Sequence, residues 1–182
     1  MSSEPAPARP LPAWVAAVQA VSTALGVASA GLILLSVGVV CQMVFVRAVL
    51  GESSIWQTEF VTFALIAATF LGAPYILLTQ GHVRVDALPL LLSSAAKRRL
   101  YVTGNVVSLV FCAFFLYASV PWWYDTWVTE QTTSSIWRAR LWIPYLTVPV
   151  GLALLCLQII ADMFLVWTRR QAAFAESLEP LT

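Results

Sequence analysis

Histidine is nearly absent from this chain: His82 is the only one among 182 residues. A haem held by two histidines is therefore excluded, and any one-histidine scheme needs another ligand type. Cysteine is scarce and scattered. Cys41, Cys112 and Cys156 lie far apart inside apolar runs, without metal or redox spacing, and read as small buried hydrophobes. Charge is scarce too, at 10% of residues with a formal net charge of +1. That leaves no basic face for nucleic acid and none for acidic substrates. No nucleophile, metal set or tuned acid and base converge, so the chain reads as no enzyme, and no cofactor is expected. No ionisable group is clearly central in a span, and no broken-helix pair or inverted repeat marks a substrate site.

What the chain does have is apolar sequence: 60% hydrophobic residues and a mean hydropathy of +0.83. A soluble domain of this size cannot hide so much apolar surface. The class is an all-α integral membrane protein, because a segment in lipid must satisfy its own backbone hydrogen bonds. The stretch to start from is 53–86. Its uncharged run, 60–79, is long enough to cross a hydrocarbon core of about 30 Å as a helix. The other apolar segments read as packing partners for it.

In chain order, residues 1–12 form a Pro/Ala-rich tail, expected to be disordered and cytoplasmic. No charge occurs from Leu11 to Val46, about 54 Å as one helix. The spanning part is placed at 21–45, with 13–20 at the interface. Ala28-Ser29-Ala30 mimics a signal-peptidase site, but the apolar run continues past it and the tail is barely basic, so an uncleaved first helix is expected. Ser54-Ile55-Trp56-Gln57 fits a capping box, with Glu59 in the first turn where the helix dipole favours a carboxylate. In the second span, 60–79, Ala64, Ala68 and Gly72 recur every four residues and permit close approach of another helix. Pro74 is expected to kink or loosen that span.

After Gly81 come His82, Arg84 and Asp86. His82 reads as a wet interfacial residue, and Arg84 and Asp86 as a local pair or cap. The short Leu-rich segment that follows suits the membrane plane. Lys97-Arg98-Arg99 precede a third span, 100–120. The stretch 121–141, with Trp122, Trp123, Tyr124, Trp127 and Trp137, reads as a loop against the bilayer surface. A fourth span, 143–167, carries Asp162 near its end, where Arg169 or Arg98 could meet it, and 169–182 form a second tail. Ser53-Ser54-Ile55-Trp56 recurs as Ser134-Ser135-Ile136-Trp137, read as repeated capping plus a Trp anchor; a duplicated helical hairpin is the alternative.

With four spans, Arg9, Arg84, Lys97, Arg98, Arg99, Arg169 and Arg170 fall on one side, and Arg47, Arg138 and Arg140 on the other. The asymmetry puts both termini in the cytoplasm. On the outer side Arg47 and Glu59 are expected to form an ion pair across the first loop, with Trp56 anchoring it. A basic residue of another subunit is the alternative partner for Glu59.

These residues in this order resemble a known family. Arg47, Ser-Ile-Trp-x-x-Glu59, Phe70-Leu71-Gly72-Ala73 and Gly81-His82-Val83-Arg84-Val85-Asp86 are similar to the small membrane subunit of tripartite ATP-independent periplasmic (TRAP) transporters, the DctQ-like family. Trp142-Ile143-Pro144-Tyr145 and Pro149-Val150-Gly151 resemble it too. The chain departs from the pattern at Thr58 and Thr62, where the family often has an acid and an arginine; a docking contact made by those charges must differ here.

The resemblance implies a scaffold subunit of the bacterial inner membrane. It implies binding to a large membrane transport subunit, which moves an organic acid such as a dicarboxylate with a sodium gradient. A periplasmic substrate-binding protein delivers the solute and is a partner, if only indirectly. Membrane lipids are expected partners; nucleic acid is not. Interface or structural candidates are Arg47, Trp56, Glu59, Ala64, Ala68, Gly72, His82, Arg84, Asp86 and Asp162. The competing readings are an autonomous small ion-coupled transporter and a membrane anchor of a respiratory complex.

Overall fold

The structure, a computed structural model, describes residues 12–51, 55–79 and 94–168, without the side chains of Ser94, Ala95, Lys97 and Arg98. His82, Arg84, Asp86, the Leu-rich segment after them and both tails except Pro12 lie outside the described residues. What is described is helical, and four helices are long and apolar enough to cross a membrane. They are α1 (Ala13–Phe45), α2 (Trp56–Leu78), α3 (Ser94–Val128) and α4 (Trp142–Trp167). A π-helical turn, Val46–Leu50, closes α1 and ends at Gly51, whose φ of 68° is left-handed.

The helices alternate in direction. Gln42 meets Gln57 and Ser29 meets Gly72, so α1 and α2 run antiparallel. Ser22 meets Gln158 and Trp14 meets Phe164, so α1 and α4 are antiparallel as well. The α1–α2 and α3–α4 connections therefore share one end of the bundle, called the loop end here; the other is the termini end.

Lipid offers no hydrophobic drive between helices, so packing and hydrogen bonds must hold them. α1 meets this demand with Val15, Ser22, Ser29 and Ser36, all buried and spaced by sevens, joined by buried Gly26. Seven residues are two turns, so these form one seam along the helix. Ala64, Ala68 and Gly72 of α2 are buried as expected. A Cβ on Gly26 would overlap the Tyr75 ring, and one on Gly151 of α4 would overlap the Phe70 carbonyl. Both glycines are present because backbones pass too closely for a side chain.

α4 shares the centre of the bundle with the second span, α2, whose packing on α1 is the most extensive. α4 packs on α1, α2 and α3 and has the most buried face, from Pro144 through Gly151, Cys156 and Ile159 to Val166. α2 has five buried positions and packs on α1 and α4. It continues through buried Pro74 for a further turn.

Two readings need correction. The third helix does not stop at Pro121; α3 continues to Val128, so Trp122, Trp123, Tyr124 and Trp127 are helical and the connection shortens to 129–141. Neighbouring helices can re-satisfy the backbone that a proline frees, which is why Pro121 does not end it. The aromatic run packs on the start of α4: Trp122 stacks on Tyr145 with centroids 4.3 Å apart, and Trp123 Nε1–H donates to the Trp142 carbonyl at 3.0 Å. Cys41 is exposed rather than buried, because it lies off the seam of α1; Cys156 is buried.

Candidate functional site

At the termini end the helices are joined by a buried polar chain. Ser22 Oγ–H donates to Gln158 Oε1 at 3.2 Å, and Gln158 Nε2–H donates to Asp162 Oδ1 at 3.0 Å. Ser22 and Gln158 are fully buried and Asp162 is half-buried. Gln158 and Asp162 are four apart, so they share one face of α4. Val15, Ala161 and Leu165 pack beside them, and Trp14 meets Phe164 edge-on at 5.3 Å. Arg169 and the Arg98 side chain lie outside the described residues, so the expected pairing with Asp162 does too.

At the loop end Gln57 Nε2–H donates to Gln42 Oε1 at 2.6 Å, tying the start of α2 to the end of α1. Thr58 Oγ1 lies 3.7 Å from Met43 Sδ beside it. The N-cap residue of α2 is Ile55, which has no capping side chain; Ser54 of the expected capping box lies outside the described residues. Trp56 is the first residue of α2 and is exposed.

The expected ion pair is absent. Arg47 is exposed on the π turn, and among the described residues no ion pair joins it to Glu59. Glu59 Oε2 is buried with no hydrogen-bond partner among the described residues. The reason lies in the helix geometry: Arg47 sits on a π turn after the last α-helical turn of α1, and Gln42 and Gln57 take the contact between the two helix ends.

The connection between α3 and α4 is a compact hydrogen-bonded loop. Thr132 and Arg140 form an antiparallel bridge, and Thr133 N–H donates to the Ala139 carbonyl at 3.0 Å. Inside it, Ala139 N–H donates to Thr133 Oγ1 at 3.0 Å, and Trp137 N–H to Ser135 Oγ at 3.2 Å. Arg138 takes a φ of 48°, a left-handed conformation that costs a non-glycine residue on the order of 1 kcal/mol. The loop's hydrogen bonds hold it there. Ser135 thus serves a turn, and Trp137 lies five residues before α4, whereas Trp56 begins its helix; the two similar tetrapeptides occupy different places.

Under this loop lies a cavity of about 460 Å³ between α1, α2 and α4. Leu32, Phe60, Phe63, Ala67 and Ile143 give it apolar walls. Trp137, Arg138 and Arg140 of the loop line its mouth.

Of the candidates, the structure brings Ala64, Ala68 and Gly72 into the packed core and keeps Arg47 apart from Glu59. It adds Ser22, Gln42, Gln57, Gln158 and the Arg138–Arg140 loop. Two signals for them were legible: the seven-residue spacing of Ser22, Ser29 and Ser36, and Gln158 four residues before Asp162.

The sequence matches the family model described as "Tripartite ATP-independent periplasmic transporters, DctQ component" over residues 36–169. The match covers most of the chain and three of the four helices entire. The chain belongs to this family. No curated protein and no solved structure matches it. A DctQ chain is a component of a TRAP transporter, and this one is a multi-pass membrane protein acting with other subunits rather than a member of an enzyme family.

Proposed function

We propose that this DctQ chain is the rigid small permease subunit of its transporter. It lies in the bacterial inner membrane with both termini in the cytoplasm and binds the large transport subunit. The complete system imports an organic acid, such as a dicarboxylate, from a periplasmic binding protein using a sodium gradient.

The observation that carries this reading is where the polar groups sit. The ionisable residues of the four helices lie toward helix ends: Glu59 on α2, Lys97 to Arg99 and Asp125 on α3, and Asp162 on α4. The buried polar contacts join helix to helix, Ser22 to Gln158 and Gln57 to Gln42. Such contacts lock a bundle; they do not bind a travelling anion. Glu59 is only half-buried and forms no ion pair among the described residues, and it is the residue we assign to meet a basic group of the large subunit.

Reconstitution tests the reading. Liposomes holding this chain alone should take up no organic acid under a sodium gradient. Uptake should appear when the large subunit and the binding protein are added. Uptake by this chain alone would reject the scaffold and favour an autonomous transporter. Copurification with haem or a redox enzyme would favour a respiratory anchor.

A further inference from the structure

We infer that the cavity under the α3–α4 loop is a binding site for an anionic phospholipid, with an acyl chain in the cavity and the phosphate on Arg138 and Arg140. The inference goes beyond the scaffold role and does not depend on it.

Three observations converge. The walls are the right chemistry for a chain: Leu32, Phe60, Phe63, Ala67 and Ile143 come from three different helices and border an open-sided cavity of about 460 Å³. That lies within the usual range of roughly 300–1,000 Å³ for sites that take a small molecule. The mouth is the right chemistry for a headgroup. Arg138 and Arg140 both line it, and among the described residues neither guanidinium has an ion-pair or hydrogen-bond partner. The described lining has no acidic side chain, so the site is doubly positive. A headgroup with net negative charge complements it better than a zwitterion, and guanidinium forks match phosphate oxygens.

The third observation is the depth at which the loop sits. Trp137, which lines the cavity, is 43% exposed, and Ile136 before it in the loop is 89% exposed. An exposed isoleucine beside an indole suits the boundary between headgroups and acyl chains. A phosphate at that level would lie beside the arginines while its chain descends between the helices. The loop also holds its shape unaided: the Thr132–Arg140 bridge and the Thr133 and Ser135 hydroxyls fix the left-handed turn at Arg138. The backbone that carries the two arginines is thus set before a ligand arrives, which lowers the ordering cost of binding.

The test uses the full chain purified in neutral detergent, with dioleoyl-phosphatidylglycerol, dioleoyl-phosphatidylcholine or inorganic phosphate as probes. Native mass spectrometry counts retained lipid, and thermal unfolding reads stabilisation. Phosphatidylglycerol should be retained and should raise Tm; phosphatidylcholine should do so weakly and inorganic phosphate not at all. The double variant R138Q/R140Q should lose phosphatidylglycerol retention by about tenfold or more, as expected for two basic groups at a headgroup. Ala67→Phe, which fills the cavity, should lose it with both arginines intact. Unchanged Tm without added lipid shows that each variant is folded.

Equal retention of the two lipids would overturn the inference. So would wild-type phosphatidylglycerol retention by either variant. Protection by inorganic phosphate equal to that by the lipid would reduce the site to an anion site. If R138Q/R140Q instead loses copurification with the large subunit while lipid retention is unchanged, the loop belongs to a protein interface.

Discussion

Glu59 is a first-turn carboxylate by position, yet one of its oxygens is buried without a donor among the described residues. Leaving a buried polar group unmade costs roughly 1–3 kcal/mol, more when it is charged. Glu59→Gln keeps the shape and removes the charge, so the isolated subunit should unfold at a temperature no lower than wild type. If the half-buried Glu59 side chain meets a basic group of the large subunit, the same change should weaken copurification, since truncating one partner of a buried charge pair costs about 2–5 kcal/mol. A destabilised isolated subunit with unchanged copurification would refute this. Arg47→Ala should add to Glu59→Gln without coupling, because the two side chains form no ion pair.

Among the elements, α3 is attached most lightly. It packs chiefly on α4, and its long apolar face is exposed at Val107, Phe111, Phe114 and Tyr117. Its hold is concentrated where Trp122 stacks on Tyr145 and Trp123 donates to the Trp142 carbonyl. Trp123→Phe keeps a ring but removes that bond. It should destabilise the α3–α4 contact by about 1 kcal/mol and speed amide exchange in 123–131, read by hydrogen exchange in detergent. Wild-type exchange there would deny the bond its role. The same element shows what a sequence makes legible. The four spans were readable because lipid requires long apolar helices, and the Ala64, Ala68 and Gly72 face was readable from its spacing. The end of α3 was not. Pro121 and a run of indoles describe an interfacial loop equally well, and only the start of α4, twenty residues on, makes them helical. The central place of α4 was hidden for a related reason. In lipid, inward and outward faces are both apolar, so hydrophobicity does not distinguish them. The loop-end cavity was also out of reach, since Leu32, Phe63 and Arg138 meet only after three helices pack.

At the scale of the whole molecule, the helix directions determine which connections share a side, and they leave open which side faces the cytoplasm. The Gln42–Gln57 contact puts the first connection at the loop end, and Arg138 and Arg140 line a cavity with Phe60 and Phe63 at that same end. The cations at that end are Arg47, Arg138 and Arg140, against Lys97, Arg98 and Arg99 at the start of α3 and further arginines in the sequence beyond α4. Lysine and arginine near the ends of spans are retained on the cytoplasmic side, so the proposed orientation has the loop end in the periplasm. In a background lacking Cys41, Cys112 and Cys156, single cysteines at Ser53 and Ser134 should react with a membrane-impermeant maleimide added to whole cells. A cysteine at Ser94 should react only after the membrane is opened. Since α1 is antiparallel to both α2 and α4, and α4 is antiparallel to α3, Ser53 and Ser134 must report the same side. Labelling of Ser94 from outside, with Ser53 and Ser134 protected, would invert the molecule and put the Arg138–Arg140 cavity against the cytoplasmic leaflet.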